Sequence, residues 1–252
     1  MLLEQTFDKL TTLQLYGMTE ALRRLTDTAS ATDLSPTDLV GLLVDAEANY
    51  RDNRKLQTRL RNAKLRQQAS VEDIDYRHPR GLSKPLLLDL ASSRWVTLHQ
   101  NIIITGKTGV GKSYLACALA HKACRDGHTV AYRRSSRLLD ELGQARADGT
   151  YIATLRRLAK TQVLVLDDFG LETLGPNERR FLLDVLEDRY GLSSTVVTSQ
   201  VDPDHWHAVI GEETAADSIC DRLVHEAHRI KLSGESIRKT NSSLIGQPKQ
   251  AK

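Results

Sequence analysis

No stretch of the sequence approaches the roughly 18 consecutive apolar residues that a membrane-spanning helix needs. Its opening, Met1-Leu2-Leu3-Glu4-Gln5, has no basic region leading into an apolar run, so neither export nor membrane insertion is expected. Cysteine is scarce: Cys117, Cys124 and Cys220 are the three among 252 residues. An odd number without CxxC spacing suggests neither a disulfide framework nor a zinc site, and fits a reducing cytoplasm. No internal repeat or low-complexity tract stands out. Charge of one sign is also lacking, since 35 Lys and Arg against 32 Asp and Glu leave a formal charge of +3. The whole-chain balance therefore does not argue for nucleic acid, and only local clustering can. What is present is a 40% hydrophobic content, enough for a buried core in one large domain or in a small domain joined to a medium one.

Over the first seventy residues the apolar positions follow a helical rhythm. Leu10, Leu13, Leu15 and Met18, then Leu22 and Leu25, then Leu39, Leu42, Leu43 and Ala46 recur at spacings that place them on one helix face. Ser35 before Pro36 has the form of an N-cap followed by proline at the first helical position. Residues 1–78 thus read as a small all-helical domain, with a junction at 75–84 where Pro79 and Gly81 break periodicity. Beyond it, strands expected at 101–105, 129–133, 163–166, 194–199 and 229–232 alternate with helices expected at 112–125, 135–147, 151–160 and 176–190. That alternation predicts an α/β domain over 79–240, a parallel sheet flanked by helices. Residues 241–252 read as a disordered tail.

Gly106-Lys107-Thr108-Gly109-Val110-Gly111-Lys112-Ser113 matches GxxxxGK[ST], directly after a β-branched strand and before a helix, the setting a phosphate-binding P-loop requires. Glycines at 106, 109 and 111 let backbone amides close on phosphate. Lys112 is placed for the β- and γ-phosphates, Ser113 for Mg²⁺, and Tyr114 continues the loop into the helix. ATP with Mg²⁺ is the expected ligand. The run Val163-Leu164-Val165-Leu166 ends in Asp167 and Asp168, two acids whose desolvation needs a metal, a proton or a hydrogen-bond network to offset it. Asp167 is read as the Mg²⁺-side carboxylate and Asp168 as the group that polarises the attacking water. Thr198-Ser199-Gln200 at the end of the next strand places small polar groups, Ser199 among them, that are read either as sensors of the γ-phosphate or water, or as turn chemistry.

In this order these residues resemble the DnaC-like and IstB-like branch of the AAA+ ATPases. The run Asp221-Arg222-Leu223-Val224-His225, followed by Leu232-Ser233-Gly234-Glu235-Ser236-Ile237-Arg238, is similar to the IstB-family ending. The likeness extends from Tyr16-Gly17-Met18 through Asp73-Ile74-Asp75 and Pro79-Arg80-Gly81 to Arg238. The resemblance implies a P-loop NTPase of AAA+ type that hydrolyses ATP in homo-oligomers with ATP sites between subunits. Arg222 would be an arginine finger reaching a neighbouring subunit's γ-phosphate, and Arg238 a sensor-type arginine. It also implies a helper of insertion-sequence transposition that assembles on double-stranded DNA and recruits or activates an IstA-like transposase. A DnaC-like helicase loader binding single strands is the alternative, and a non-catalytic assembly module that uses ATP as a conformational ligand is a third.

Local charge supports DNA contacts. Arg51, Arg54, Lys55, Arg59, Arg61, Lys64 and Arg66 fall within sixteen residues with one acid, Asp52, among them. A solvated helix face is the other reading. Arg133, Arg134 and Arg137 form a second cluster, at the point where the DnaC-like branch inserts a helix that touches nucleic acid. His205 with His207 and His225 with His228 lack converging partners, so no metal other than Mg²⁺ is expected.

Overall fold

In the computed structural model, which describes residues 2–28, 35–76 and 80–236, the N-terminal leucine rhythm folds as α1 (Leu2–Thr12), α2 (Tyr16–Asp27) and α3 (Pro36–Ala63). α3 starts where expected: Ser35 Oγ accepts the Asp38 amide at 3.2 Å and Pro36 pre-sets the first helical φ. α2 comes close to α3 because Gly17 has no side chain. A Cβ there would lie 2.5 Å from the Ala46 carbonyl oxygen and 2.7 Å from Tyr50 Cβ. The first amides of α2 lack intrahelical acceptors, and the buried Glu47 carboxylate supplies one, taking Gly17 N at 2.7 Å and Met18 N at 3.2 Å on Oε2. Arg51 Nε holds its other oxygen at 2.7 Å.

The chain forms two compact units, Met1–Thr58 and Arg59–Lys252, which divide within α3. The composition change at 75–84 falls in the second unit. Pro79, Arg238 and the tail expected at 241–252 lie outside the described residues. No helix among the described residues is long and apolar enough to cross a membrane.

In the second unit, α4 (Lys84–Leu90) and α5 (Arg94–Thr97) precede β1 (Ile102–Thr105), β2 (Val130–Arg134), β3 (Val163–Phe169), β4 (Ser194–Ser199) and β5 (His228–Lys231). Among the described residues these strands form one all-parallel sheet in the order β2-β3-β4-β1-β5. Parallel neighbours need crossovers. α6 (Lys112–Arg125) joins β1 to β2, and α7 (Ser135–Ala147) and α8 (Tyr151–Ala159) join β2 to β3. α9 (Pro176–Glu187) joins β3 to β4, while α10 (Trp206–Ile210) and α11 (Glu213–Val224) join β4 to β5. This is the expected fold class.

A sheet covered on both faces needs strands that are apolar throughout rather than alternating. Ile102 to Ile104, Val163 to Leu166, and Val196 with Val197 meet that need, each no more than 1% exposed. Each such side chain contributes about 1.5–3 kcal/mol through burial. Trp206 is buried edge-on against Phe169, with ring centroids 4.7 Å apart, and its Nε1 donates to Val201 O at 3.1 Å. Strand register then sets the site. Thr105 of β1 pairs with Ser199 of β4, and Leu166 of β3 with Val197 of β4, so the carboxyl ends of the three central strands finish side by side. Ligands of open parallel sheets bind in the crevice beyond such ends.

Candidate functional site

The loop leaving β1 must turn sharply before α6, and its glycines permit the turn. Gly106, Gly109 and Gly111 have φ of 148°, 87° and 97°, conformations that side-chain-bearing residues rarely adopt. Space is equally restrictive: a Cβ at Gly106 would lie 2.3 Å from Leu232 O, and one at Gly109 2.1 Å from Ser236 Oγ, so residues 232–236 pass directly over the loop. Lys112 is buried and its Nζ donates to the carbonyls of Gly106 at 2.7 Å and Lys107 at 3.0 Å. Thr108 Oγ1 donates to Gln200 Oε1 at 2.7 Å, tying the loop to the end of β4. Val110 is fully buried, Tyr114 half-buried and Lys107 exposed.

At the first turn of α6, Ser113 Oγ donates to Asp167 Oδ1 at 2.8 Å. Asp167 is wholly buried at the end of β3, where Thr198 Oγ1 donates to Oδ1 at 2.5 Å and Tyr132 OH and Arg66 donate to Oδ2. Burial pushes this carboxyl upward, but the hydrogen bonds from Thr198, Tyr132, Ser113 and Arg66 outweigh it and hold the group below the usual carboxylate range. The carboxylate is therefore ionised at neutral pH. A hydroxyl and an ionised carboxylate within hydrogen-bond distance are the hard oxygen donors that Mg²⁺ prefers, so the residues present fit that ion.

Asp168 faces a different way because β3 is irregular between Leu166 and Phe169, and Asp168 sits there at φ 60°. Its amide donates to Thr198 Oγ1 at 3.0 Å, and its side chain is a quarter exposed, with Arg66 NH1 3.5 Å and Arg134 Nε 3.9 Å from Oδ2. Ser199 is buried; its hydroxyl donates to Phe169 O at 2.7 Å and accepts the Val201 amide at 3.0 Å. At this end of β4 it is Thr198 that touches the carboxylate pair.

Arg222 lies elsewhere. The Asn101 side-chain amide, just before β1, donates to the carbonyls of Arg222 at 2.8 Å and Leu223 at 3.2 Å. The P-loop leaves the other end of β1, so the two are separated by a strand length of roughly 13 Å. The guanidinium is fastened there by the Ser218 carbonyl at 2.8 Å, the Glu187 carboxylate and the face of the Tyr190 ring. Arg222 is therefore not part of its own chain's phosphate loop.

The basic residues divide. Arg54, Lys55, Arg61 and Lys64 are exposed, with Lys55 3.3 Å from Asp52. Arg59 Nε donates to Cys124 O at 2.8 Å, and Arg66 belongs to the carboxylate pair. In the second cluster Arg133 is held by Glu141 at 3.0 Å and is mostly buried, whereas Arg137 is 78% exposed. Of the histidines, His207 meets Asp217 and His228 meets Gln100. Tyr132 and Arg80, near the loop, were given no role from the sequence, and Thr198 was read only as part of the polar run at the end of its strand. Tyr132 was recoverable from register, because it pairs with Val165, two positions before Asp167 and on the same face. Thr198 follows in the same way from the pairing of Leu166 with Val197. Arg80 carried no local signal; it is 5% exposed and reaches the Val110 carbonyl at 3.5 Å and the Asp75 carbonyl at 3.2 Å.

The sequence matches the family described as IstB-like ATP binding protein over residues 8–245. It is 51% identical over 239 residues to a protein of Sinorhizobium fredii named for ATP binding in an insertion sequence, spanning 95% of this chain and 98% of that one. A protein of Pseudomonas fluorescens, named for ATP binding in insertion sequence IS1162, is 43% identical over 202 residues, 80% of this chain and 87% of the other. Among solved structures, DnaI superposes with a TM-score of 0.56 at 24% identity, covering 66% of this chain and 91% of that one. That likeness is one of fold, a parallel sheet flanked by helices with a P-loop after its first strand.

Proposed function

The chain belongs to the IstB-like ATP-binding family, and from that premise we propose that it is an Mg²⁺-dependent ATPase that helps an insertion sequence to transpose. In its ATP state it assembles on double-stranded DNA and presents that DNA to the transposase, and hydrolysis resets the assembly. The observation that carries the reading is the contact of Ser113 with a buried, ionised Asp167 at the mouth of a glycine P-loop. The ATPase body, expected over 79–240, takes in residues 59–76 as well, since Arg66 reaches its centre.

The roles follow from position. Amides of residues 106 to 111 and the amino end of α6 receive the phosphates, and Lys112 turns from the loop carbonyls to the β- and γ-phosphates. Ser113 and Asp167 hold the metal, which when bound neutralises charge on the phosphate oxygens. Asp168, beside it and open to solvent, orients the attacking water and takes its proton, and Thr198 steadies both carboxylates through Asp167 Oδ1 and the Asp168 amide. Arg222 completes the site of a neighbouring subunit, where a cation stabilises the charge developing on the transferred phosphoryl group. Arg54, Lys55, Arg61 and Lys64, with Arg134 and Arg137, bind the DNA backbone, while Arg59 and Arg133 are engaged by the Cys124 carbonyl and by Glu141.

Lys112→Ala tests this assignment. The variant should remain folded, lose ATP binding in equilibrium dialysis and lose ATP-dependent retention of duplex DNA on filters. Unchanged DNA retention would sink the coupling of nucleotide to DNA, and a clear preference for single strands would turn the reading towards a helicase loader.

A further inference from the structure

An ionised carboxylate offers about four lone-pair positions, and Asp167 has all of them in use. Oδ1 accepts from Ser113 and Thr198; Oδ2 accepts from Tyr132 and from Arg66 NH1 at 3.1 Å. Three of these donors are neutral hydroxyls on α6, β4 and β2, built into the core of the fold. Arg66 is the one cation among them, and it enters from the stretch that follows α3. It also lies 3.5 Å from Asp168 Oδ2, and its side chain is a third exposed. A fully buried carboxylate stays ionised only with such compensation.

The same stretch is fastened along the P-loop helix. Arg59 Nε donates to the Cys124 carbonyl in the last turn of α6, and Ala63 is fully buried. The Cys117 sulfur, midway along α6, lies against the amides of Arg66 and Gln67. Residues 59–67 thus run from the carboxyl end of α6 to its amino end, where the phosphate loop sits.

We propose that Arg66 is the resident counter-ion of the Asp167–Asp168 pair and that Mg²⁺-nucleotide takes its place, releasing residues 59–67 from the amino end of α6. The inference rests on the nucleotide site proposed above. Ser113 contacts Oδ1 and Arg66 contacts Oδ2 of the same buried carboxylate, so a divalent cation received by Ser113 and Asp167 would stand within a few ångströms of the guanidinium, and two cations so close repel. Exchange avoids that repulsion and leaves Asp167 compensated in both states. It also gives the P-loop a direct mechanical link to the basic carboxyl end of α3, which carries Arg59 and Arg61.

The test uses the full chain with a fluorescent ATP analogue, mant-ATP, bound at increasing Mg²⁺ concentration. Removing the competing cation in Arg66→Gln should lower the Mg²⁺ midpoint for analogue binding by about tenfold, the weight of one charged hydrogen bond. Arg66→Lys, which keeps the charge, should stay close to the unsubstituted chain. In the unsubstituted chain, hydrogen exchange at the amides of residues 65–69 should quicken when Mg²⁺ and the analogue are added. An unchanged or higher Mg²⁺ midpoint in folded Arg66→Gln overturns the proposal, and so does unchanged or increased protection at those amides. Should Arg66→Gln not fold, the exchange measurement decides alone. Absence of analogue binding by the unsubstituted chain at every Mg²⁺ concentration would instead refute the nucleotide site itself; normal binding with an indifferent Arg66 refutes only the counter-ion role.

Discussion

Asp167 and Asp168 are neighbours in sequence and opposites in surroundings. The irregularity in β3 places Asp168 at φ 60°, a conformation aspartate tolerates better than most residues, so one carboxylate enters the core while the next stays open to solvent. The buried one has the donors that keep it ionised and the other is a quarter exposed, a division that suits the metal ligand and the proton acceptor proposed for them. Arg222 is set apart by the same reasoning. Held by Glu187, Tyr190 and the Ser218 carbonyl at the far end of β1, it has no route to its own chain's phosphates. Arg222→Ala should therefore leave binding of mant-ATP unchanged while lowering DNA-bound ATP hydrolysis by about a thousand-fold, read as phosphate release. Loss of nucleotide binding to the extent seen with Lys112→Ala would contradict a role in a neighbouring subunit's site.

Helix α3 and the turn after it carry the charge that most plainly suits a phosphate backbone, since Arg54, Lys55, Arg61 and Lys64 are exposed and only Lys55 has an acidic neighbour among them. Replacing these four by glutamine should weaken duplex binding equally for all DNA sequences. It should also flatten the slope of log affinity against log salt by about 0.9 for each phosphate no longer neutralised, measured by fluorescence anisotropy across a salt series. A sequence-dependent loss with an unaltered slope would place the DNA elsewhere. The elements themselves were mostly legible. β1 and β3 were readable as runs of Ile, Val and Leu suited to burial on both faces, and β4 from its β-branched Thr195-Val196-Val197-Thr198; each ends beside glycine, acid or hydroxyl residues that the site uses. The start of α3 was readable from Ser35 and Pro36, whose effects are local. Arg66 was not: inside a basic cluster it looks like its neighbours, and only long-range packing along α6 brings it to Asp167. The bulge that separates the two carboxylates was equally hidden, since it depends on how β3 pairs with β4. The division of the chain inside α3 was unreadable for a simpler reason, because composition does not change within one continuous helix.

Within the second unit, the phosphate loop leaves the carboxyl edge of the sheet, and Arg222 is anchored at the amino edge. If Arg222 serves a phosphate site as proposed, that site is not its own chain's, and head-to-tail association would bring one chain's amino edge to the next chain's phosphates and repeat along a row of copies. On the proposed function nucleotide governs assembly, because bound ATP would supply the charge that draws in the neighbour's arginine and its hydrolysis would weaken that attraction. Duplex DNA, with a charge every ~1.7 Å of its length, is the track on which the proposed row of copies would accumulate through its exposed basic residues. The direct measurement is the mass of complexes formed on duplex DNA, determined by light scattering with a non-hydrolysable ATP analogue, with ADP and with no nucleotide. The account predicts several copies per duplex with the analogue, and far smaller complexes with ADP, without nucleotide, or with Lys112→Ala in any state. Equal masses in all nucleotide states would contradict it.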